Sequence, residues 1–299
     1  MSRCIVTGGA GFIGSHLTEA LLGDGHDVVV IDSLVLGKRE YVSDNAEFHE
    51  IDIRDVSALK PLFDGVDVVF HLAADPRLPL SIENPIETHS VNVTGTLNIL
   101  ELAREAGVKK VVFTSSAAVY GDEELPITEM AIPEPKSPYG LHKYMGEQYA
   151  RLYASLFELP TVCLRYFNVY GPRKLANGGY PMVIPVFLQQ RVDGESLTIT
   201  GDGTQTRDYV HVSDVVRANI LAWKSDIADG SAMNIANGVE TSVNEIAELI
   251  EGTIAYIPAR KGEVKRMQAS ITKAKELLGW EPTVELADGI VELKKEWGL

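Results

Sequence analysis

Short apolar runs rich in valine and isoleucine recur along the first half of the chain. Between them lie stretches whose apolar residues repeat every three or four positions. The runs at 4–7, 28–31, 66–71, 110–116 and 161–167 predict buried strands, and a shorter, more polar one falls at 47–50. Helical spacing covers 15–22, a long amphipathic stretch at 83–106 closed by Gly107, and 138–157. Strand and helix alternate, which predicts an α/β fold built on a parallel sheet with helices on both faces. After residue 168 the pattern loosens. It predicts a helix at 181–191, a strand at 197–200, a return to the main sheet through 210–224 and 232–235, and surface helices at 271–278 and 286–297. The expected division is a domain of 1–168, rejoined by 207–235, and a smaller lobe of 169–206 and 236–299.

Composition narrows the class. The chain has 299 residues, 45% hydrophobic and 23% charged, enough for one large domain or two unequal ones. An apolar strand begins by residue 4, which leaves no room for a signal peptide. No apolar run nears the ~20 residues of a membrane span. A cytoplasmic location is expected, with no membrane partner. The net charge of −15 argues against nucleic acid, while leaving room for an anionic small molecule held by local cations. Cys4 and Cys163 both sit in apolar runs and read as buried thiols; no disulfide and no metal site are expected.

The first candidate chemistry is a nucleotide site. Strand 4–7 runs into Gly8-Gly-Ala-Gly11-Phe-Ile-Gly14 and then a helix. Gly8 permits the tight turn, Gly11 lets backbone approach a pyrophosphate, and Gly14 lets helix pack on strand. The helix N-terminus offers N–H groups to phosphate. Asp32 ends the second strand, where an acid suits ribose hydroxyls and repels a 2′-phosphate; this favours NAD over NADP, with Lys38 and Arg39 in the following loop pulling the other way. Asp52 and Ile53 follow the third strand, where an acid meets an adenine amino group. His71-Leu-Ala-Ala74 ends the fourth strand, and its small residues Ala73 and Ala74 leave room for a cofactor. His71 reads as structural, because nothing near it completes a triad or a metal set.

The second is Tyr139 and Lys143, four residues apart on the 138–157 helix and so on one face. A free tyrosine titrates near 10, so service as a base at pH 7 needs roughly 4 kcal/mol of help for the phenolate. One positive charge ~5 Å away at an effective dielectric of ~20 gives about 3 kcal/mol. An oxidised nicotinamide ring carries a second such charge. Ser116, at the end of the 110–116 strand, reaches the same space.

Together these segments resemble the extended short-chain dehydrogenase/reductases, and within them the NAD-dependent sugar-nucleotide epimerases of the UDP-glucose (UDP-galactose) 4-epimerase group. The resemblance rests on TGGAGFIG at 7–14, HLAA at 71–74, Asn92-Val-Thr-Gly-Thr96, SSAAVYG at 115–121, SPYGLHK at 137–143, LRYFNVYGPR at 164–173, GDGTQTRDYV at 201–210 and Gly279-Trp-Glu-Pro282. It covers essentially the whole chain. It implies a Rossmann-type doubly wound parallel sheet with a smaller C-terminal α/β substrate lobe. It implies Tyr139 as catalytic base, Lys143 on the nicotinamide ribose and Ser116 on the sugar 4-hydroxyl. Phe12, Ile13, Asp32, Lys38, Asp52, Ile53, Leu72, Ala73, Asn92, Ser115 and Phe167 would line the NAD site. Asn168, Arg207, Arg260 and Glu263 would hold the UDP diphosphate and ribose. By register, Met267 would set the width of the sugar pocket. A homodimer is implied through helices at 84–106 and 138–157, with Leu141, Tyr144, Met145, Leu152 and Tyr153 either facing outward or packing on the sheet.

The resemblance also sorts the reactions. Related dehydratases carry Asp-Glu straight after the strand-end hydroxyl, and UDP-glucuronate decarboxylases carry Glu at the second of those positions. This chain has Ala117 and Ala118. GDP-fucose-type epimerase-reductases need further acid/base residues that are not there. The expected reaction is therefore 4-epimerisation of a UDP-hexose with NAD retained. UDP-N-acetylglucosamine and UDP-glucuronate epimerases, or a non-catalytic nucleotide-binding relative, are the alternatives.

Overall fold

The structure, a computed structural model, describes residues 1–121, 123–174, 176, 182–259 and 264–299. Its strands are β1 (Arg3–Thr7), β2 (Asp27–Asp32), β3 (Glu47–Glu50), β4 (Val68–His71), β5 (Lys110–Ser116), β6 (Thr161–Tyr166), β7 (Asn168–Tyr170), β8 (Leu197–Thr200), β9 (Thr206–His211), β10 (Asp229–Ile235), β11 (Glu240–Ser242) and β12 (Ile254–Ile257). Seven of them form one sheet in the order β10-β6-β5-β4-β1-β2-β3, and every neighbouring pair is parallel. This is the doubly wound α/β fold expected. Strand order reverses between β1 and β4, so a crevice opens beyond their carboxyl ends, where such sheets bind ligands.

The apolar runs account for the layers. Successive side chains on a strand point to opposite faces. Cys4, Val6, Val28 and Val30 accordingly pack on one side with Leu17 and Leu21 of helix Phe12–Gly23 and Val215 and Ala218 of helix Val212–Lys224. Ile5, Val29 and Ile31 pack on the other with Ile99 and Leu102 of helix Thr96–Glu105 and Tyr153 of helix Pro138–Phe157. Cys4 and Cys163 are both buried and free, as their surroundings predicted. No helix among the described residues is long and apolar enough to cross a membrane.

Four segments differ from expectation. The single helix expected over 83–106 is broken into Leu78–Glu83, Pro85–His89, a wide π turn Ser90–Gly95 and Thr96–Glu105. Pro85 cannot donate to a preceding turn, and Asn84 caps a new helix there by accepting from Glu87 N. β6 stops at Tyr166, and Asn168 starts a separate strand. β9 does not return to the main sheet; it lies between β7 and β11 in a three-stranded sheet, and only β10 rejoins the large one. The stripe on helix Pro138–Phe157 divides. Leu141 and Leu152 are exposed and Tyr144 and Met145 half-buried, while Tyr153 is buried and donates to Glu101.

The three-stranded sheet and the parallel pair β8–β12 share a second core of Tyr170, Phe187, Ile199, Ile246 and Ile290, set beside the mouth of the crevice.

Candidate active site

The crevice is a cavity of about 810 Å³. At its base the glycine turn packs β1 against helix Phe12–Gly23. A Cβ on Gly14 would stand 2.2 Å from the Gly8 carbonyl oxygen, so only glycine lets the helix start this close to the strand. Gly11 precedes the helix without a side-chain cap, which leaves the first-turn N–H groups to whatever occupies the cavity. At the end of β2 the Asp32 carboxylate accepts from Ala10 N at 3.0 Å and Leu34 N at 2.8 Å. Burial pushes its pKa up and these two bonds oppose the shift. Glycine turn, uncapped helix and oriented acid fit the diphosphate and ribose of a dinucleotide.

Most of the remaining candidate cofactor residues share this wall: Phe12, Ile13, Asp52, Ile53, Leu72, Ala73, Ala74, Ser115 and Phe167 all line the cavity. Lys38 and Asn92 do not. The Lys38 ammonium turns outward to Glu40 and the Tyr41 ring. Asn92 is buried behind the wall and clamps Asp75, accepting from its N–H at 2.7 Å and donating to its carbonyl at 2.9 Å. The Asp52 carboxylate is engaged by Arg54 at 2.6 Å.

The opposite wall carries Ser116, Tyr139 and Lys143. Ser137 caps the Tyr139 helix, accepting from Gly140 N at 3.1 Å, and Pro138 fits its first turn. Gly140 lies so close to the β5 end that a Cβ would meet the Ala118 carbonyl oxygen at 2.1 Å. That approach sets Tyr139 beside Ser116 on the cavity wall. Burial drives the Tyr139 pKa up to about 12, with the neighbouring Ser116 hydroxyl opposing and Asp75 adding to the rise. The expectation that Lys143 brings this phenol toward neutrality is not met in the protein alone. Lys143 Nζ donates instead to the Thr114 carbonyl at 2.8 Å, and burial, opposed by Glu147, lowers its own pKa to about 8.

Behind this wall runs a buried polar network that sequence reasoning missed. Glu147, one turn beyond Lys143, accepts from Ser115 Oγ and from Arg165 Nε and Nη2 at 2.8 and 2.6 Å. Arg165 donates on to the Tyr120 hydroxyl at 2.7 Å, which donates to Asn234 at 2.8 Å. The i, i+4, i+8 spacing of Tyr139, Lys143 and Glu147 was the available signal. His71 is structural, as read: it sits between the Thr7 and Thr96 hydroxyls at 2.7 and 2.9 Å.

On the lobe side, Asn168, Arg207 and Met267 line the same cavity. Asn168 Nδ2 donates to the Asp208 carbonyl at 2.9 Å and lies 3.8 Å from Met267 Sδ. Asp208, also missed, accepts from Asn237, Gly238 and Ala269 N–H groups, tying these loops together. Arg260 and Glu263 lie outside the described residues. Among the described residues no group of three metal-ligating side chains exists.

Known proteins share this sequence and architecture. The sequence profile of the NAD-dependent epimerase/dehydratase family matches residues 4–236. A UDP-glucose 4-epimerase of Mycolicibacterium smegmatis is 40% identical over 304 residues, covering 97% of this chain and 96% of that protein. The crystal structure of a Thermotoga maritima UDP-glucose 4-epimerase with UDP-glucose has a TM-score of 0.94 at 40% identity, covering 99% of this chain and 98% of that one. A Bacillus cereus UDP-glucuronic acid 4-epimerase, solved with UDP-glucuronic acid and NAD, gives 0.91 at 32% identity, covering 99% of each chain. All three are named for a UDP-sugar, UDP-glucose in the first two and UDP-glucuronic acid in the third. With the fold, the fitted dinucleotide cradle and this similarity along nearly its whole length, the chain belongs to the NAD-dependent epimerase/dehydratase family, and NAD is its cofactor.

Proposed function

We propose that this enzyme interconverts the C4 epimers of a UDP-hexose, UDP-glucose and UDP-galactose. The observation that carries the reading is Ser116 and Tyr139 together on the cavity wall, with Ala117 and Ala118, which bring no acid or base, straight after the serine. Tyr139 takes the proton from the sugar 4-hydroxyl and gives it back, and Ser116 holds that hydroxyl in line. The cofactor held along Gly8, Gly11, Gly14 and Asp32 would supply a hydride acceptor and donor for C4. The Lys143 ammonium stays in the site, held by the Thr114 carbonyl, and favours the phenolate. Asn168, Arg207 and Arg260 hold the UDP diphosphate, and Glu263 accepts from the UDP ribose hydroxyls. Gly8, Gly11, Gly14 and Asp32 hold the dinucleotide, and Asn92 acts at one remove through Asp75.

Met267 favours a second reading. Its half-buried thioether is unbranched and lies against Asn168, so it can swing to admit an N-acetyl group. A proton NMR time course on the purified protein, with UDP-glucose and separately UDP-N-acetylglucosamine and no added NAD, tests both. An axial 4-hydroxyl product in the first tube is the expected result. Product only in the second would move the substrate to the hexosamine, and none in either after NAD is supplied would sink the 4-epimerase reading for both sugars.

The exposed Ile86, Leu141, Leu152 and Leu156 support a homodimer packed through these helices. Sedimentation equilibrium at micromolar protein would show twice the chain mass.

A further inference from the structure

Helix Phe12–Gly23 presents Phe12, His16 and Glu19 on one face, spaced i, i+4 and i+7. Three consecutive residues from beyond β7 meet that face one for one. His16 Nε2 pairs with the Pro172 carbonyl at 3.0 Å. Arg173 Nη2 donates to Glu19 Oε1 at 2.6 Å. Lys174 Nζ lies 5.2 Å from the centre of the Phe12 ring. Arg173 adopts a left-handed backbone at φ 66°, and its guanidinium lies over the Tyr41 ring at 5.7 Å.

The two cations have unspent capacity. Arg173 Nη1 is buried without a hydrogen-bond partner, and Lys174 makes no ion pair among the described residues. Both line the cavity on its dinucleotide side, beside Phe12 and Tyr41. A half-buried ammonium with no counter-charge among the described residues, in a chain of net charge −15, is matched by an anionic ligand.

We propose that residues 172–174 form a strap across the cofactor cleft, and that Lys174 with Arg173 supplies the cationic side of the site for the diphosphate of NAD. The uncapped first turn of helix Phe12–Gly23, whose Phe12 ring lies against Lys174, supplies N–H groups next to them. His16 and Glu19 hold the strap down without contributing to the cavity wall. The inference rests on the family's cofactor and is independent of which sugar is turned over.

The test is NAD retention. Wild type, Lys174→Met, Lys174→Arg and Glu19→Gln are loaded with NAD and desalted. NAD per chain and its rate of loss into NAD-free buffer are then measured. Lys174→Met is expected to lose NAD about tenfold faster, the worth of one charge-assisted contact. Lys174→Arg should restore retention. Glu19→Gln, which frees the strap and leaves the cavity lining intact, should also speed release. UDP affinity of the NAD-saturated proteins, read by calorimetry, should stay at the wild-type value. Unchanged NAD loss in Lys174→Met would overturn the proposal. So would weakened UDP binding at unchanged NAD content, which would assign these cations to the sugar nucleotide's diphosphate. A wild-type chain that holds no NAD after loading would overturn it as well. An absence of epimerase activity with NAD retained as expected would strike only the reaction proposed above.

Discussion

As the proposed base, Tyr139 needs help, because its site favours the neutral phenol, with the pKa pushed up to about 12. On that proposal Lys143 does not suffice alone, and a further positive charge has to arrive with the ligands. Tyr139→Phe keeps the ring packing and removes the proton carrier. Turnover should fall by about 10²–10⁴-fold with NAD content unchanged, as measured by NMR assay and by released NAD. His71 makes a different pH prediction. Burial, with the Lys143 charge adding, holds its pKa at about 3 against an ordinary 6.5. Below pH 6.5 the unfolded chain therefore binds a proton that the native site refuses. Stability should be fully present above that pH and fall as pH drops, by up to about 1.4 kcal/mol per pH unit. Urea midpoints between pH 6.5 and 5, above the range where most carboxylates titrate, would show the slope, and His71→Asn would make it shallower, with His142, also held low by burial, keeping part of it.

The Tyr139 helix and the end of β5 work as one unit. Lys143 binds the Thr114 carbonyl, Glu147 binds Ser115, and Gly140 seats on the Ala118 carbonyl. Gly140→Ala should force these elements apart, lowering stability by about 1–3 kcal/mol and turnover by roughly 10²-fold. Calorimetry and the NMR assay would check it; a variant with normal turnover would break the link drawn between this contact and the Ser116–Tyr139 geometry. At this scale the sequence was readable where local signals were strong. The apolar runs located β1, β2, β4 and β5, and Ser137-Pro138 marked the start of the Tyr139 helix. Breaks were harder to read. Pro85 interrupted a stretch whose apolar spacing continued through it, and β7 hid as the tail of β6 because both are apolar. Nothing local marks Glu147 and Arg165, since their burial depends on each other across two elements. Nothing local marks Asp208 either, because its partners are backbone N–H groups some 30 and 60 residues away.

Across the whole molecule, the cavity is lined from both the large sheet and the three-stranded one. NAD binds the native chain alone, and saturating it should raise Tm by on the order of 10 °C over the stripped protein, read by scanning calorimetry. The sheet order has a consequence in time. Its edge strand β10 arrives only after the chain has passed through β7, β8 and β9. A growing polypeptide can pair the other six strands first, but β6 then waits with one side bare while about sixty further residues are made. At roughly 5–20 residues per second that wait lasts several seconds. An unpaired strand edge invites joining by another chain. A fragment ending at residue 228 should therefore aggregate in light-scattering measurements where the full chain stays dispersed, and conditions that slow synthesis should lengthen the interval in which nascent chains need protection.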